Sequence, residues 1–400
     1  MKTEQAHNNE QWKKMRFDKL FDMLPTNTLS RDKLNNQRGE YQNIHYGDVL
    51  IKYPYCLDCN VNDIPYINEG VRFNTAQVKN GDVIFADTAE DDTVGKCVEV
   101  LNVGDRKIVS GLHTYFCRPK HEMASGYLGY FLNSNHFHNQ LLPYIAGSKV
   151  SSVNRTSIAR TFIFYPESLP AQRRIVAILS SADKVIDSTR RLIEKYKKMK
   201  QGMMEDLLKP KEGWKMVKLG EVGKISMCKR VFSFETSTEG EIPFFKIGTF
   251  GKIADAFISR QLYEEYKSKF SYPKVGDILI SASGTIGRTV VFDGEPAYFQ
   301  DSNIIWIDND EQIVLNQFLY YLYQTITWNL EGSTIARLYN DNFNKIEISV
   351  PYKNDKPDFI KQRRIAAILS GIDAKIAAEE KVLEKYGKVK KGLMERLLNN

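Results

Sequence analysis

Residues 281–288 (SASGTIGR) contain the residue types that suit contact with a nucleic acid. The segment follows an apolar, strand-like run and combines small hydroxyl side chains, two glycines and one arginine. Such a loop presents backbone N–H groups and hydroxyls, which in protein–DNA interfaces contact phosphates and base edges. A plain β-turn would explain the same pattern equally well. The candidate contact residues in this loop are Ser281, Ser283, Thr285 and Arg288.

Two further polar loops lie at equivalent places in the two halves of the chain. Gly147-Ser148 precedes Pro166 by the same spacing as Gly332-Ser333 precedes Pro351, and an apolar, strand-like run ends at each proline. Each loop carries one arginine, and the equivalent placement favours a shared role over two unrelated solvated loops. The candidates are Lys149, Ser151, Ser152, Asn154 and Arg155 in the first loop, and Ser333, Thr334, Arg337, Tyr339 and Asn340 in the second.

Motifs of catalysis are absent from the sequence. There is no phosphate-binding loop of the form GxxxxGK followed by Ser or Thr, and no Asn/Asp-Pro-Pro-aromatic tetrapeptide of an adenine methyltransferase. A cofactor-cradling glycine cluster after a first strand is also missing, as is a histidine pair at metal-ligand spacing on a helix. We therefore expect no catalytic residues, no bound metal and no cofactor of its own.

Two clusters of residues could be taken for metal sites. Cys56 and Cys59 form a lone CxxC, but a structural zinc site needs four ligands, and the remaining cysteines supply no second pair. The acidic run at 90–92 with Lys96 could be read as a nuclease metal site, but no strand spacing or repeat supports it. Incidental reduced thiols and a solvated acidic loop are the favoured interpretations.

The strongest pattern is a stretch that occurs twice. Residues 172–208 and 362–398 align at a constant offset of 190 with 20 of 37 positions identical, including Asp183/Asp373 and Tyr196/Tyr386. Apolar residues recur at intervals of three and four in both copies, which predicts long helices over 169–209 and 359–398. Each would be a rod of roughly 60 Å. One rod cannot bury its stripe alone, so the two are expected to pack together rather than serve as ordinary core helices of one large domain.

The remaining residues form two α/β regions with the same plan. In the first, strand-like runs at 80–86, 96–101, 107–110 and 161–165 surround a helical stretch at 126–147. In the second, 276–279 repeats the Gly-Asp-apolar-apolar pattern of 81–84, and 316–331 repeats the helix. The expected domains are 1–168 and 211–358, each followed by a long helix at 169–210 and 359–400.

Charge is concentrated on the helices. The formal net charge is +7, whereas residues 169–209 and 360–400 each hold ten basic and five acidic residues, leaving the rest at −3. A nucleic-acid surface on the globular regions must therefore be a local basic face. No run reaches membrane-spanning length, and five cysteines in a chain of 400 residues favour a reducing cytoplasm.

The duplicated helix with the motif QRRI(V/A)AILS…D…EKY…K…G…M…LL, preceded in each copy by a Gly-Ser-to-Pro segment, resembles the specificity subunit of type I restriction–modification systems. The resemblance covers essentially the whole chain. It adds Lys229 and Arg230 to the candidate DNA contacts, where the family often has Gly-Lys-Arg; here Cys228 replaces the glycine.

The resemblance implies two target-recognition domains joined by two long helices packed as an antiparallel coiled coil, with pseudo-two-fold symmetry. Such a subunit reads a split, asymmetric double-stranded DNA target and is not an enzyme. Two methyltransferase subunits would dock on the helices and restriction/translocase subunits would join them, so that S-adenosylmethionine, ATP and Mg²⁺ belong to the partners. A coiled-coil adaptor that binds only proteins is the alternative. The expected docking residues are Gln172, Arg173, Arg174, Arg190, Arg191, Lys195, Gln362, Arg363, Arg364, Lys381 and Lys385.

Overall fold

A computed structural model describes residues 11–91, 93–147, 150–328 and 340–399. The chain divides into two compact units, the first made of residues 1–190 and 381–400 and the second of residues 191–380. Each unit therefore combines one globular region with a segment of each long helix.

The first globular region contains thirteen strands and five short helices among the described residues. The strands are β1 (Trp12–Arg16), β2 (Phe21–Leu24), β3 (Leu34–Asn35), β4 (Tyr41–Ile44), β5 (Cys56–Asp58), β6 (Tyr66–Ile67), β7 (Val83–Ala86), β8 (Thr88–Ala89), β9 (Cys97–Leu101), β10 (Lys107–Ser110), β11 (Thr114–Pro119), β12 (Ser151–Ser152) and β13 (Phe162–Pro166). The helices are α1 (Phe17–Leu20), α2 (Tyr46–Ile51), α3 (Tyr127–Leu132), α4 (Asn135–Leu141) and α5 (Arg155–Arg160), with 3₁₀ turns at Arg31–Lys33 and Leu142–Tyr144.

A buried sheet of order β2-β11-β7-β9-β5 is the middle layer of the first unit. Val83 and Phe85 of β7 pack on the helical side, whereas Ile84 and Ala86 pack on the side of the second sheet, β10-β4-β6-β3. Successive side chains of a strand point to opposite faces, so a strand covered on both faces must be apolar throughout. The uninterrupted run VIFA follows from this position.

The first long helix, α6 (Leu169–Leu207), leads into the second globular region. Its strands are β14 (Trp214–Lys218), β15 (Gly223–Ser226), β16 (Ile242–Phe245), β17 (Phe257–Ile258), β18 (Ile278–Ser281), β19 (Thr289–Val291), β20 (Tyr298–Phe299), β21 (Ile304–Asn309), β22 (Glu347–Lys353) and β23 (Lys356–Pro357). Its helices are α7 (Leu219–Val222), α8 (Arg260–Lys269), α9 (Asn316–Tyr323) and α10 (Asn340–Lys345), with a 3₁₀ turn at Ser233–Glu235; α11 (Phe359–Leu398) is the second long helix.

The second unit repeats the layers of the first. Its central sheet has the order β15-β21-β18-β19, and its second sheet the order β17-β16-β20. Ile278 and Ile280 of β18 face the helical core, whereas Leu279 faces the core between the sheets. In both regions the first strand pairs antiparallel with the exit strand, β1 with β13 and β14 with β22. The structural repeat predicted from the sequence is confirmed.

The two long helices pack together and run antiparallel within each unit. In the first unit Ile175 and Leu179 of α6 share a core with Leu398 of α11. In the second unit Met204 of α6 shares a core with Ile365 of α11. Ser168 and Asp358 cap the two helices at equivalent positions, accepting from the backbone N–H of the residue three places on. The antiparallel pair expected from the resemblance is confirmed.

A buried ion pair fixes the register of the helices in the first unit. Lys390 of α11 pairs with Asp183 of α6, and the other carboxylate oxygen of Asp183 accepts a hydrogen bond of 2.7 Å from the Tyr130 hydroxyl of α3. The Lys390 ammonium also lies 3.8 Å from the ring centroid of Tyr55. We call Tyr130, Asp183 and Lys390 the first lock, because together they join the globular region to both helices.

The second unit has the equivalent lock. Lys200 of α6 pairs with Asp373 of α11 at 2.7 Å, and Asp373 accepts 2.8 Å from the Tyr321 hydroxyl of α9. The aspartate lies on α6 in the first unit and on α11 in the second, and in each unit the lysine lies on the other helix. Asp183 and Asp373 were visible in the sequence only as identical positions of the two copies.

Two expectations need correction. The predicted helix at 126–147 is two helices, because Ser134 caps α4 by accepting from Phe137 N and the chain bends there. Part of the apolar stripe is not buried between the helices, since a pair of helices covers a narrow seam and this stripe is wider. The half-exposed members are Ile178, Val185, Met199, Val382, Tyr386 and Val389.

Candidate nucleic-acid interface

The loop at 282–288 in the second unit joins the hairpin strands β18 and β19. Ser281 Oγ donates to Thr285 O at 2.5 Å and accepts from Arg288 N at 2.9 Å, so this hydroxyl closes the loop rather than facing solvent. Thr285 is exposed, and Arg288 is half-buried with one guanidinium N–H donating to Phe250 O at 2.9 Å. The loop is thus ordered from within, and its outer groups are Thr285 and the remaining donors of Arg288.

Gly287 is required by this geometry. Its φ of 83° lies in the left-handed region, and a Cβ there would come within 2.1 Å of Trp328 Nε1. Trp328 in turn stacks on Phe343 at a centroid distance of 5.9 Å. The close approach of the Trp328 indole therefore explains why a glycine is needed at position 287, without any contact to a phosphate.

Three segments that are distant in sequence meet at residues 300–303, the segment between β20 and β21. Gln300 Oε1 accepts 2.9 Å from Ile247 N, and Asp301 Oδ2 accepts 2.8 Å from Arg230 Nε. Asn303 Oδ1 accepts 2.8 Å from the buried Ser283 hydroxyl. The structure thus gathers the predicted residues of 229–230 and 281–288 around one connector. Sequence reasoning missed Gln300, Asp301 and Asn303, although the polar run QDSN after an apolar strand was a usable signal.

Lys229 and Arg230 are exposed on the surface of the second unit. The Lys229 ammonium lies 5.1 Å from the ring centroid of Phe270, and Cys228 beside it is buried. Burial raises the pKa of the Cys228 thiol to about 12, so this sulfur stays protonated. Cys228 therefore has a packing role, and the two cations alone offer contacts to an anion.

The predicted loop at 333–340 in the second unit lies mostly outside the described residues. Lys149, which belongs to the predicted loop of the first unit, also lies outside them. Asn340 begins α10, which packs on α7 just before the exit strand β22. The predicted residues outside the description are Lys149, Ser333, Thr334, Arg337 and Tyr339.

In the first unit the predicted residues 151–155 lie on a short strand and a short helix just before the exit strand β13. Ser151 and Ser152 form β12, which pairs antiparallel with β8. Asn154 Oδ1 caps α5 by accepting 2.8 Å from Ser157 N, and Arg155 donates 2.8 Å to Met23 O while its side chain stays exposed. The pairing of β12 with β8 brings this segment beside the acidic loop that follows β8. From the sequence alone the segment and the acidic loop were treated as two unrelated features.

Lys96 lies where Arg288 lies in the other unit, directly before the fourth strand in the order of the central sheet, which is β9 here and β19 there. Its ammonium donates to Leu50 O at 2.6 Å, and burial lowers the pKa of Lys96. Asp91 accepts from Thr93 N at 2.9 Å within the loop. Lys96 thus ties down a neighbouring carbonyl, as Arg288 does, and is not an exposed partner for a metal-bound phosphate.

The docking residues predicted on the helices separate into two groups. Gln172 and Gln362 are buried: Gln172 accepts 2.8 Å from Ala124 N, and Gln362 accepts 2.8 Å from Leu315 N. Both carboxamides hold their globular region against a helix, so we remove them from the docking surface. The predicted residues that are exposed are Arg173, Arg174, Arg190, Arg191, Lys195, Arg363, Arg364, Lys381 and Lys385.

Across the described ranges, no group of three or more His, Cys, Asp or Glu side chains is placed to hold a metal ion. Cys56 and Cys59 are free thiols in and next to β5, and burial raises the pKa of both. The described helices also include none that is both long and apolar enough to cross a membrane.

Comparison with known proteins decides the family. The model of the type I restriction modification DNA specificity domain matches residues 9–198 and 211–385. The chain belongs to this family. This is the family that the duplicated helix predicted.

Individual members of the family align over long stretches. A putative type I restriction enzyme specificity subunit of Haemophilus influenzae is 43% identical over 267 residues, spanning 64% of this chain and 66%, just under two thirds, of that protein. The type I restriction enzyme MjaVIII specificity subunit of Methanocaldococcus jannaschii is 26% identical over 378 residues, spanning 86% of this chain and 85% of that one.

Solved structures share the fold of this chain. The type I restriction–modification S subunit from M. genitalium superposes with a TM-score of 0.58 at 17% identity, covering 99% of this chain and 98% of that chain. A chain from a structure of complex assembly and conformational transition of the type I R-M system gives 0.57 at 19% identity, with 97% of each chain covered. These likenesses concern the fold alone.

Proposed function

We propose that this specificity subunit reads a split, asymmetric double-stranded DNA target, with residues 1–168 and 211–358 as its two target-recognition domains. The observation that carries the proposal is the repetition of one layered fold with different loops. Four strands of the central sheet and the tie to the long helices are equivalent in the two units, yet the loop before the fourth strand is SASGTIGR in one and acidic in the other. Equal scaffolds with unequal loops recognise unequal half-sequences.

The DNA contacts of the second domain are assigned to the surface around residues 300–303. Lys229, Arg230, Thr285 and Arg288 leave donors on its outer side, and arginine suits both phosphates and the guanine edge. Asp301 offsets part of the positive charge of Arg230 in the free protein and holds the guanidinium in place. Ser281 and Ser283 act beneath this surface by shaping the loop.

In the first domain the proposed contacts are the segment at 151–155 and the neighbouring loop. Arg155 is exposed while anchored by Met23 O, and Ser152 lies exposed on β12. Lys149 and the second unit's residues at 333, 334, 337 and 339 remain proposed contacts by their place in the sequence.

Exchange of one domain tests the two-reader proposal. Replacing residues 1–168 by the corresponding region of another family member should change one half of the methylated motif and leave the other half intact. Methylation-motif sequencing of DNA from cells that express the hybrid with its methyltransferase reads the result. A change in both halves would contradict independent reading.

We propose that two methyltransferase subunits dock on the helix pair. The support is a surface that the helices do not use themselves: half-exposed apolar residues such as Val185 and Val389 lie among the exposed basic residues. Apolar side chains within a basic surface suit a partner helix with acidic flanks. Duplication of the helix supplies two equivalent sites, so a saturated complex with one methyltransferase in sedimentation analysis would contradict the proposal.

Restriction/translocase subunits complete the proposed assembly in the cytoplasm. S-adenosylmethionine would be bound by the methyltransferase, and ATP and Mg²⁺ by the translocase. The protein-only adaptor is distinguished by DNA binding: a specificity subunit binds duplex DNA in a sequence-dependent and salt-sensitive manner, whereas the adaptor does not.

A further inference from the structure

Two phenyl rings project from the surface of the second unit. Phe232 and Phe234 are 50% and 83% exposed, and they stack on each other with centroids 5.6 Å apart and an interplanar angle of 5°. Single exposed apolar residues are ordinary, but a stacked pair of large rings held in water is a concentrated apolar surface. We call residues 232–236 the aromatic turn.

The aromatic turn is held by hydrogen bonds and not by packing of its rings. Phe232 N donates 2.8 Å to Glu235 Oε2, and Thr236 Oγ1 donates 2.8 Å to Ser233 O. Tyr266 of α8 donates 3.3 Å to the other carboxylate oxygen of Glu235. The rings are therefore presented in a fixed arrangement, which lowers the entropic cost of using them to bind.

The scaffold does not need these rings. In the first unit the equivalent 3₁₀ turn, Arg31–Lys33, likewise follows the first strand of the central sheet. There Ser30 and Asp32 occupy the positions of Phe232 and Phe234, and Arg31 pairs with Asp48. The same fold thus exists with a polar turn, so the aromatic pair belongs to what differs between the two domains.

The position of the turn indicates its partner. Phe232 lies two residues from Arg230, which is fixed to Asp301 on the surface proposed to contact DNA. Apolar side chains next to cations match a duplex, because the cations meet phosphates while rings unstack a base step and insert. A protein partner would be expected to use the helix surface, where apolar residues and their basic flanks are duplicated.

We propose that Phe232 and Phe234 form a wedge that inserts at a base step in the half-target read by the second domain, with Lys229 and Arg230 on the flanking phosphates. This inference rests on the proposed DNA-reading function. Insertion of the rings would make sequence specificity depend in part on how easily the DNA deforms, since pyrimidine–purine steps unstack more easily than others. The recognised half-sequence should include such a step even where no side chain reads its bases.

The test compares Phe232→Ala/Phe234→Ala in the full chain, assembled with its methyltransferase, with Met216→Ala as the matched control. Met216 is exposed on β14, outside the aromatic turn. Duplexes that contain the methylated motif carry 2-aminopurine at successive positions of each half other than the methylated adenines, because a methyltransferase itself flips those bases out of the stack. With the unchanged chain, fluorescence should rise at one step of one half-target, and this rise should disappear in the double variant only.

Affinity and its salt dependence give a second readout. The double variant should bind target DNA roughly 10- to 100-fold more weakly, as expected for lost aromatic stacking on bases. The slope of log affinity against log salt should not change, because no phosphate contact is removed. Thermal unfolding should match that of the control, since the rings bury little in the free protein.

Three outcomes would overturn the wedge. If the unchanged chain binds its target in a sequence-dependent manner without any 2-aminopurine response, the wedge is excluded and the DNA-reading function stands. If the double variant keeps its DNA affinity but loses methyltransferase in sedimentation analysis, the rings form a protein interface. If the unchanged chain shows no sequence-dependent DNA binding at all, the proposed function and the wedge both fail.

Discussion

The lock of the first unit makes a quantitative prediction about Lys390. Replacing Lys390 by Met keeps the length and the apolar stem of the side chain but removes the charge that pairs with Asp183. The side chains are 9% and 25% exposed at Lys390 and Asp183, against 17% and 34% at Lys200 and Asp373. The pair in the first unit is thus the more buried of the two.

The expected cost lies between two limits. Removing one partner of a fully buried pair costs about 3–5 kcal/mol, whereas an exposed pair contributes about 0–1 kcal/mol. Lys390→Met also removes the cation from the Tyr55 ring, and the Tyr130 hydroxyl remains to satisfy one oxygen of Asp183. We expect a loss of about 2–3 kcal/mol for Lys390→Met and about 1–2 kcal/mol for Lys200→Met, after allowing for partial exposure.

Amide hydrogen exchange measured by mass spectrometry gives the local free energy of opening for each unit. Peptides from residues 175–190 should exchange about 30- to 160-fold faster in Lys390→Met, because about 2–3 kcal/mol corresponds to that factor. Peptides from the second unit should not change. Lys388→Met is the control, since its ammonium is exposed and pairs with Glu384 one turn earlier on the same helix, α11. Equal, small effects of Lys390→Met and Lys388→Met would refute the lock.

Three further predictions follow from the fold and the family. Inserting four residues after Lys197 adds about one helical turn of ~5.4 Å, or one to two base pairs, and should lengthen the unread spacer while leaving both half-sequences unaltered; an active variant with the original spacer in motif sequencing would contradict this. Burial raises the pKa of Glu99 to about 7, above its ordinary 4.5, so the stability contributed by its protonated form is complete below pH 4.5 and is lost by pH 7. Denaturation at several pH values should therefore show the free energy of unfolding falling by up to about 3 kcal/mol between pH 4.5 and 7, a fall that Glu99→Gln lacks. The same pH dependence in both proteins would contradict this role of Glu99. The purified chain should transfer no methyl group from labelled S-adenosylmethionine to target DNA, and incorporation without a partner would disprove the assignment of catalysis to the partner.

The sequence by itself determined the family, the two-unit plan and the long helices. A pattern of period 3.6 repeated over 37 residues leaves few alternatives to a long helix. Duplication at a constant offset then implies two equivalent structures. Apolar runs such as VIFA and ILIS identify a buried strand in the central sheet of each unit. These properties are local or repetitive, so the sequence displays them directly.

Tertiary structure alone decided which side chains are available. Gln172 and Ser281 looked like surface residues, but the chain around them uses their polar atoms to close a helix contact and a loop. Lys390 looked like one more basic residue of a charged helix, yet it is buried against Asp183 from 207 positions away. Such pairings depend on which distant segments meet, and the spacing of residues along one strand or helix contains no record of that.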